Sequence, residues 1–269
     1  MHPFDRDIAN TPSDSPLTLA AQVSTDWSIN GLPNGGFQMA LLANAMQQQS
    51  AKKSMAIMTA TFIARAAPGA ARIELEPIAA SSQFERFQAR LLQPDPGNGN
   101  NPREKIRAVG TFVDFSAACT LNRKETGPPE VAPRSQCLAI PHMPKYTLFD
   151  QMDVLLDPAC IGWMSGKLGE KSEHKGWIKF KQERAYDAAS LLLIADSFPP
   201  SAFASQGMAA WVPTIEMSVN IRALPASPWL KCIFRTRFIT CGLLEEDGEL
   251  WDETGELVAI SRQIAQFRG

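Results

Sequence analysis

Asp196, Thr214 and Gln263 are the residues whose types and settings in this chain point to chemistry. Asp196 closes the apolar run Leu191-Leu-Leu-Ile-Ala195 of a helix expected over 186–196, which Pro199 and Pro200 keep from extending. A carboxylate there meets the negative end of the helix dipole and apolar neighbours. Both influences disfavour ionisation, and carboxylates perturbed in this way mark candidate sites. Gln263 shares a strand face with Ala259, Ser261, Ala265 and Phe267, which are expected to point inward, and a buried amide needs partners for its donors and its acceptor. Asp196 is an available partner if its helix lies under that sheet. A carboxylate, a hydroxyl and an amide can together activate water, with Asp196 taking the proton while Thr214 and Gln263 orient the water. Plainer readings stay open: Asp196 satisfying turn donors through Ser197, Thr214 as an ordinary strand residue, Gln263 as a core amide linking strands.

Asn34-Gly35-Gly36 forms a second feature. A helix start carries unpaired N–H groups, so Gly35 and Gly36 can face a carbonyl oxygen or a phosphate, or can simply let helix and sheet pack closely. Other chemistries have less support. His2, His142 and His174 fall in the N-terminal tail, a linker and a loop, so no Ser-His-Asp triad or His-based metal site is indicated. There is no GxSxG, GxGxxG or P-loop, and no metal, cofactor or nucleotide is expected.

The 269 residues, 45% of them hydrophobic, are enough for one large core or two smaller ones. A formal charge of -2, with Lys and Arg scattered, shows no electrostatic footprint for nucleic acid or an anionic membrane. Cys119, Cys137, Cys160, Cys232 and Cys241 make an odd set without a CxxC, which favours reduced thiols in a cytoplasmic protein. The start lacks a secretory pattern, and no apolar run nears the roughly 18 residues of a membrane span.

The elements that must position the polar residues come twice. Asn34 is expected to cap a helix over 35–46, apolar on nearly every face, followed by strands over 58–65, 72–78, 84–92 and 106–115. Prolines 128, 129, 133, 141 and 144 then mark a surface connection. The second half follows its helix with alternating strands over 214–222, 229–239 and 257–267, with Ile215, Met217, Val219 and Ile221 on one face of the first, and turns at Asp247-Gly248 and Thr254-Gly255. Thr61-Phe-Ile-Ala-Arg65 overlays Ser218-Val-Asn-Ile-Arg222, and Thr111-Phe-Val-Asp-Phe115 overlays Gln263-Ile-Ala-Gln-Phe267. Asp196 then falls near Ala43 and Gln263 on Thr111, so one site per chain is expected. The division is 1–118, a linker over 119–145, and 146–269 carrying the site. Met39, Met46, Met55 and Met58 suit either a tunnel for an apolar ligand or plain core.

A buried helix wrapped by an antiparallel sheet, present twice, resembles the α+β double hotdog of thioesterase II-type acyl-CoA thioesterases. Trp27-Ser-Ile-Asn-Gly-Leu-Pro-Asn-Gly-Gly-Phe37 and Pro68-Gly69 carry the resemblance in the first half. Leu193-Ile-Ala-Asp196, Pro213-Thr-Ile-Glu-Met-Ser-Val219 and the segment 250–263 carry it in the second. One departure is that Phe37 separates the Gly-Gly pair from Gln38, where the family usually has Gln directly. The resemblance implies hydrolysis of an acyl-CoA thioester, the family's Asp, Thr and Gln roles at Asp196, Thr214 and Gln263, a pseudo-dimer within one chain, and room for a homo-oligomer. A non-catalytic acyl-thioester or lipid binding protein on the same fold is the alternative.

Overall fold

Asn34 fixes where the longest helix begins: its side chain accepts the Phe37 N–H at 2.9 Å, satisfying one of the donors a helix start leaves open. This first-half helix runs Gly35–Gln49 and is buried on nearly all sides through Met46. The computed structural model describes residues 1–52, 54–99, 101–115, 121–208 and 212–267, which leaves Cys119 outside the described residues. The second-half helix, Ala188–Ile194, starts with a capping box in which Asp187 and Ser190 satisfy each other's backbone donors.

The strands are, in chain order, β1 (Asn10–Ser15), β2 (Thr18–Val23), β3 (Ser28–Ile29), β4 (Leu32–Pro33), β5 (Ser54–Phe62), β6 (Gly69–Ala80), β7 (Phe84–Asp95), β8 (Asn101–Val113), β9 (Leu138–Ala139), β10 (Met152–Leu156), β11 (Ser172–Phe180), β12 (Thr214–Ile221), β13 (Leu230–Thr236), β14 (Ile239–Thr240), β15 (Leu243–Asp252) and β16 (Leu257–Gln266). All but the β3–β4 ribbon join one antiparallel sheet of 14 strands, in the order β1-β2-β6-β7-β8-β5-β12-β16-β15-β13-β11-β10-β9, with β14 beside β15. The halves meet at β5 and β12, where Thr59 pairs with Ser218 and their hydroxyls bond at 3.0 Å. The first-half helix packs on β5 to β8 and the second-half helix on β12, and the two helices pack against each other within one continuous core. The fold is a double hotdog. No helix among the described residues is long and apolar enough to cross a membrane.

Several local expectations change in the structure. Asp247-Gly248 is no turn but the middle of β15, where Gly248 is required because a Cβ would run into Ser261 Oγ and the Phe234 ring. His174 is not in a loop; it lies buried in β11, its Nδ1 at 2.9 Å from Pro199 O, and burial pulls it down to about 4, so it is neutral. β1 and β2 extend the first half of the sheet, and Leu138–Ala139 within the proline-rich connection supplies the last strand of the second half. Met39, Met46, Met55 and Met58 are fully buried core. The overlay slips by three residues at its far end. Ala60 pairs with Ala108 and Met217 with Gln263, so with Arg65 on Arg222 the counterpart of Gln263 is buried Ala108 rather than Thr111.

Candidate active site

Asp196 lies in the turn that closes the second-half helix, its N–H donating to Leu193 O at 3.1 Å. Its carboxylate reaches across to the start of the first-half helix. Oδ2 accepts the Gly36 N–H and the Asn34 carboxamide, each at 2.9 Å, and Asn34 also donates to the Asp196 carbonyl at 2.7 Å. The approach depends on glycine, because a Cβ on Gly36 would stand 2.5 Å from Leu192 O and 2.9 Å from Asp196 Cβ. Surrounding protein pushes the Asp196 carboxyl up to about 6; the Gly36 N–H works against this, and the charge of Glu246 adds to it. Although deeply enclosed, Asp196 keeps part of its surface on a small cavity.

Gly36 therefore packs the two helices together and donates its N–H to Asp196 instead of leaving it open to a ligand oxygen; a Gly35 N–H also favours the ionised Asp196. Gln38 is spent on the fold too, donating to Pro33 O at 3.0 Å from a buried position.

Thr214 owes its orientation to a bulge. Strict alternation through Met217, Val219 and Ile221 would turn Ile215 inward and Thr214 outward. The register between β12 and β16 shifts between Thr214 and Glu216, leaving Ile215 40% exposed and Thr214 facing inward beside Ala265. From there its hydroxyl donates to Gln263 Oε1 at 2.6 Å. Gln263 sits between Met217 on β12 and Glu246 on β15, and its Nε2 donates to Glu246 Oε1 at 2.7 Å. Glu246 Oε2 accepts the Ser201 N–H at 2.6 Å, and burial pushes this carboxyl up as well.

The structure thus brings Asp196, Thr214 and Gln263 onto one cavity of about 50 Å³, lined also by Phe198, Pro200, Leu244 and Glu246. Among the described residues no hydrogen bond joins Asp196 to Thr214 or Gln263; the Gln263 amide is taken by Glu246. A wider, open groove of about 250 Å³ beside Ile78 and Phe87 lies away from this set. Reading 247–248 as a turn hides Glu246. The usable signal is the alternation Leu244, Glu246, Gly248, Leu250, which places a carboxylate on the inward face opposite Gln263. Among the described residues no three His, Cys, Asp or Glu side chains stand together to hold a metal.

The double hotdog thus carries a small polar cavity lined by second-half residues, beside a carboxylate that the start of the first-half helix holds. Residues 23–113 match the acyl-CoA thioesterase N-terminal domain and residues 125–267 the acyl-CoA thioesterase C-terminal domain, and the chain belongs to that family. An uncharacterised protein of Mycobacterium tuberculosis is 24% identical over 296 residues, covering 98% of this chain and 95% of that one. A Thermobifida fusca protein proposed to be a thioesterase II superposes with a TM-score of 0.87 at 22% identity, covering 100% of this chain and 98% of the other. A hot dog fold protein of unknown function from Alicyclobacillus acidocaldarius gives 0.86 at 19% identity, covering 100% and 99%. Thioester hydrolysis is the activity of the family to which the chain belongs.

Proposed function

We propose that the chain hydrolyses acyl-CoA thioesters with a water held by Asp196, Thr214 and Gln263. The observation that carries this reading is the convergence of a carboxylate raised to about 6 with a hydrogen-bonded Thr–Gln pair on one cavity. Asp196 takes a proton as the water oxygen attacks the acyl carbon. The second Gln263 N–H, the one not given to Glu246, is the side-chain donor left for water or for charge developing on the carbonyl oxygen. Collapse of the tetrahedral intermediate breaks the C–S bond, and the departing thiolate recovers the proton from Asp196. A cytoplasmic location is supported by the free thiols of Cys137, Cys160, Cys232 and Cys241.

Thiol release from a panel of acyl-CoAs, measured on the parent and on Asp196→Asn, tests the reading. The expected loss of kcat is at least about a hundredfold. Normal turnover by a folded D196N protein overturns the mechanism, and a parent that binds an acyl-CoA analogue but releases no thiol is a binding protein.

A further inference from the structure

Glu246 is a buried carboxylate without an ion pair among the described residues, held only by Ser201 and Gln263. Burying a charge in this way is unfavourable, and a neutral acceptor would satisfy the Gln263 amide with less desolvation. What the carboxylate adds is direction, because both of its oxygens accept here, Oε1 from the Gln263 amide and Oε2 from the Ser201 N–H. The Gln263 NH2 group must then face Glu246, which leaves Gln263 Oε1 as the acceptor toward Thr214. Thr214 has one hydroxyl proton and gives it to Gln263 at 2.6 Å. Its lone pairs alone remain for the cavity.

We propose that Glu246 is a positioning residue that sets the direction of the Thr214–Gln263 hydrogen bonds, so that a cavity water must donate to both Thr214 and Asp196 and keeps a lone pair for the acyl carbon. This rests on the hydrolytic reading above. Glu246→Gln keeps the shape and removes the constraint. With its carbonyl oxygen retained on the Ser201 N–H, the new amide faces Gln263, which turns over, donates to Thr214, and frees the Thr214 proton toward the cavity. The same change removes the Glu246 contribution, secondary to burial, that raises the Asp196 carboxyl; of the elements packed on Asp196, the first-half helix start, Asn34 to Phe37, brings no charged side chain.

E246Q, compared with the parent at equal thermal stability, is expected to lose at least about tenfold in kcat with KM within about twofold, and to move the acid limb of kcat to lower pH. Glu246→Asp, which keeps a carboxyl partner for the Gln263 amide, is expected to recover part of that loss. Selective 15N labelling of glutamine side chains gives a readout independent of turnover. The Gln263 amide resonances, assigned from Gln263→Ala, should shift in E246Q and stay near the parent's in E246D. A folded E246Q with the parent's kcat, pH profile and Gln263 resonances overturns the proposal. If the parent releases no thiol, the hydrolytic reading fails on its own, and the Gln263 resonances still decide whether Glu246 orients the amide.

Discussion

Asp196 is held in two opposing ways, and the balance sets its behaviour with pH. Enclosure favours the neutral acid, while Asn34 and Gly36 donate to the ionised form, leaving the group at about 6 against an ordinary value of 3.8. A base must be ionised to act, so kcat is expected to rise with pH through a midpoint near 6, and a profile flat from pH 5 to 8 contradicts that assignment. Stability runs the other way. Between roughly pH 4 and 6 the unfolded chain has lost the Asp196 proton while the folded chain keeps it, so stability falls as pH rises across that window. D196N is therefore expected to be more stable than the parent above pH 6, by up to about 3 kcal/mol, and to lose that advantage below pH 4. Denaturant titrations at both pH values check it. Asp196 is legible in sequence because a carboxylate ending the apolar run Leu191 to Ala195 needs a reason. Glu246 is not, because it stands in the acidic stretch Glu245-Glu-Asp247 and looks solvated. Cross-strand salt bridges from Arg262 to Asp247 and from Arg235 to Glu249 balance its outward-facing neighbours, a compensation that only the strand register reveals.

Whole elements aim these side chains. The start of the first-half helix supplies Asn34 as a cap and as a donor to the carboxylate, two uses of one side chain. Asn34→Ala is expected to cost about 1–2 kcal/mol from the lost cap alone. The same change removes a donor to ionised Asp196, so the acid limb of kcat should move to higher pH; an unmoved midpoint in a folded variant would show that the contact does not tune the base. Gly36→Ala forces the helices apart, because the backbone of Leu192 cannot swing aside as a side chain can. A loss of about 1–3 kcal/mol, with weakened turnover, is expected from thermal melts and thiol release. Helix caps and strand faces could be inferred from local sequence, since Asn, Gly and alternating apolar residues act over a few positions. The bulge at Ile215 could not, because it depends on the pairing of β12 with β16, and a one-residue slip reverses which side chain reaches Gln263.

At the scale of the molecule, the site depends on the seam between the halves. Thr214, Glu246 and Gln263 come from second-half strands, yet the hydrogen bonds that hold the Asp196 carboxylate come from Asn34 and Gly36 of the first half. β12 is an inner strand only because β5 covers it from Ile57 to Thr61. Residues 146–269 expressed alone would expose the β12 edge, with the N–H and C=O groups it shares with β5 unpaired and Met217, Val219 and Ile221 no longer packed on the first-half core. That fragment is expected to self-associate or aggregate in size-exclusion chromatography and to release no thiol. Co-expression with residues 1–145 should restore both solubility and turnover, because the missing strand partner and the missing donors return together. A monomeric fragment that hydrolyses an acyl-CoA at the parent's rate would show that neither the β5 edge nor the Asn34 and Gly36 contacts are needed.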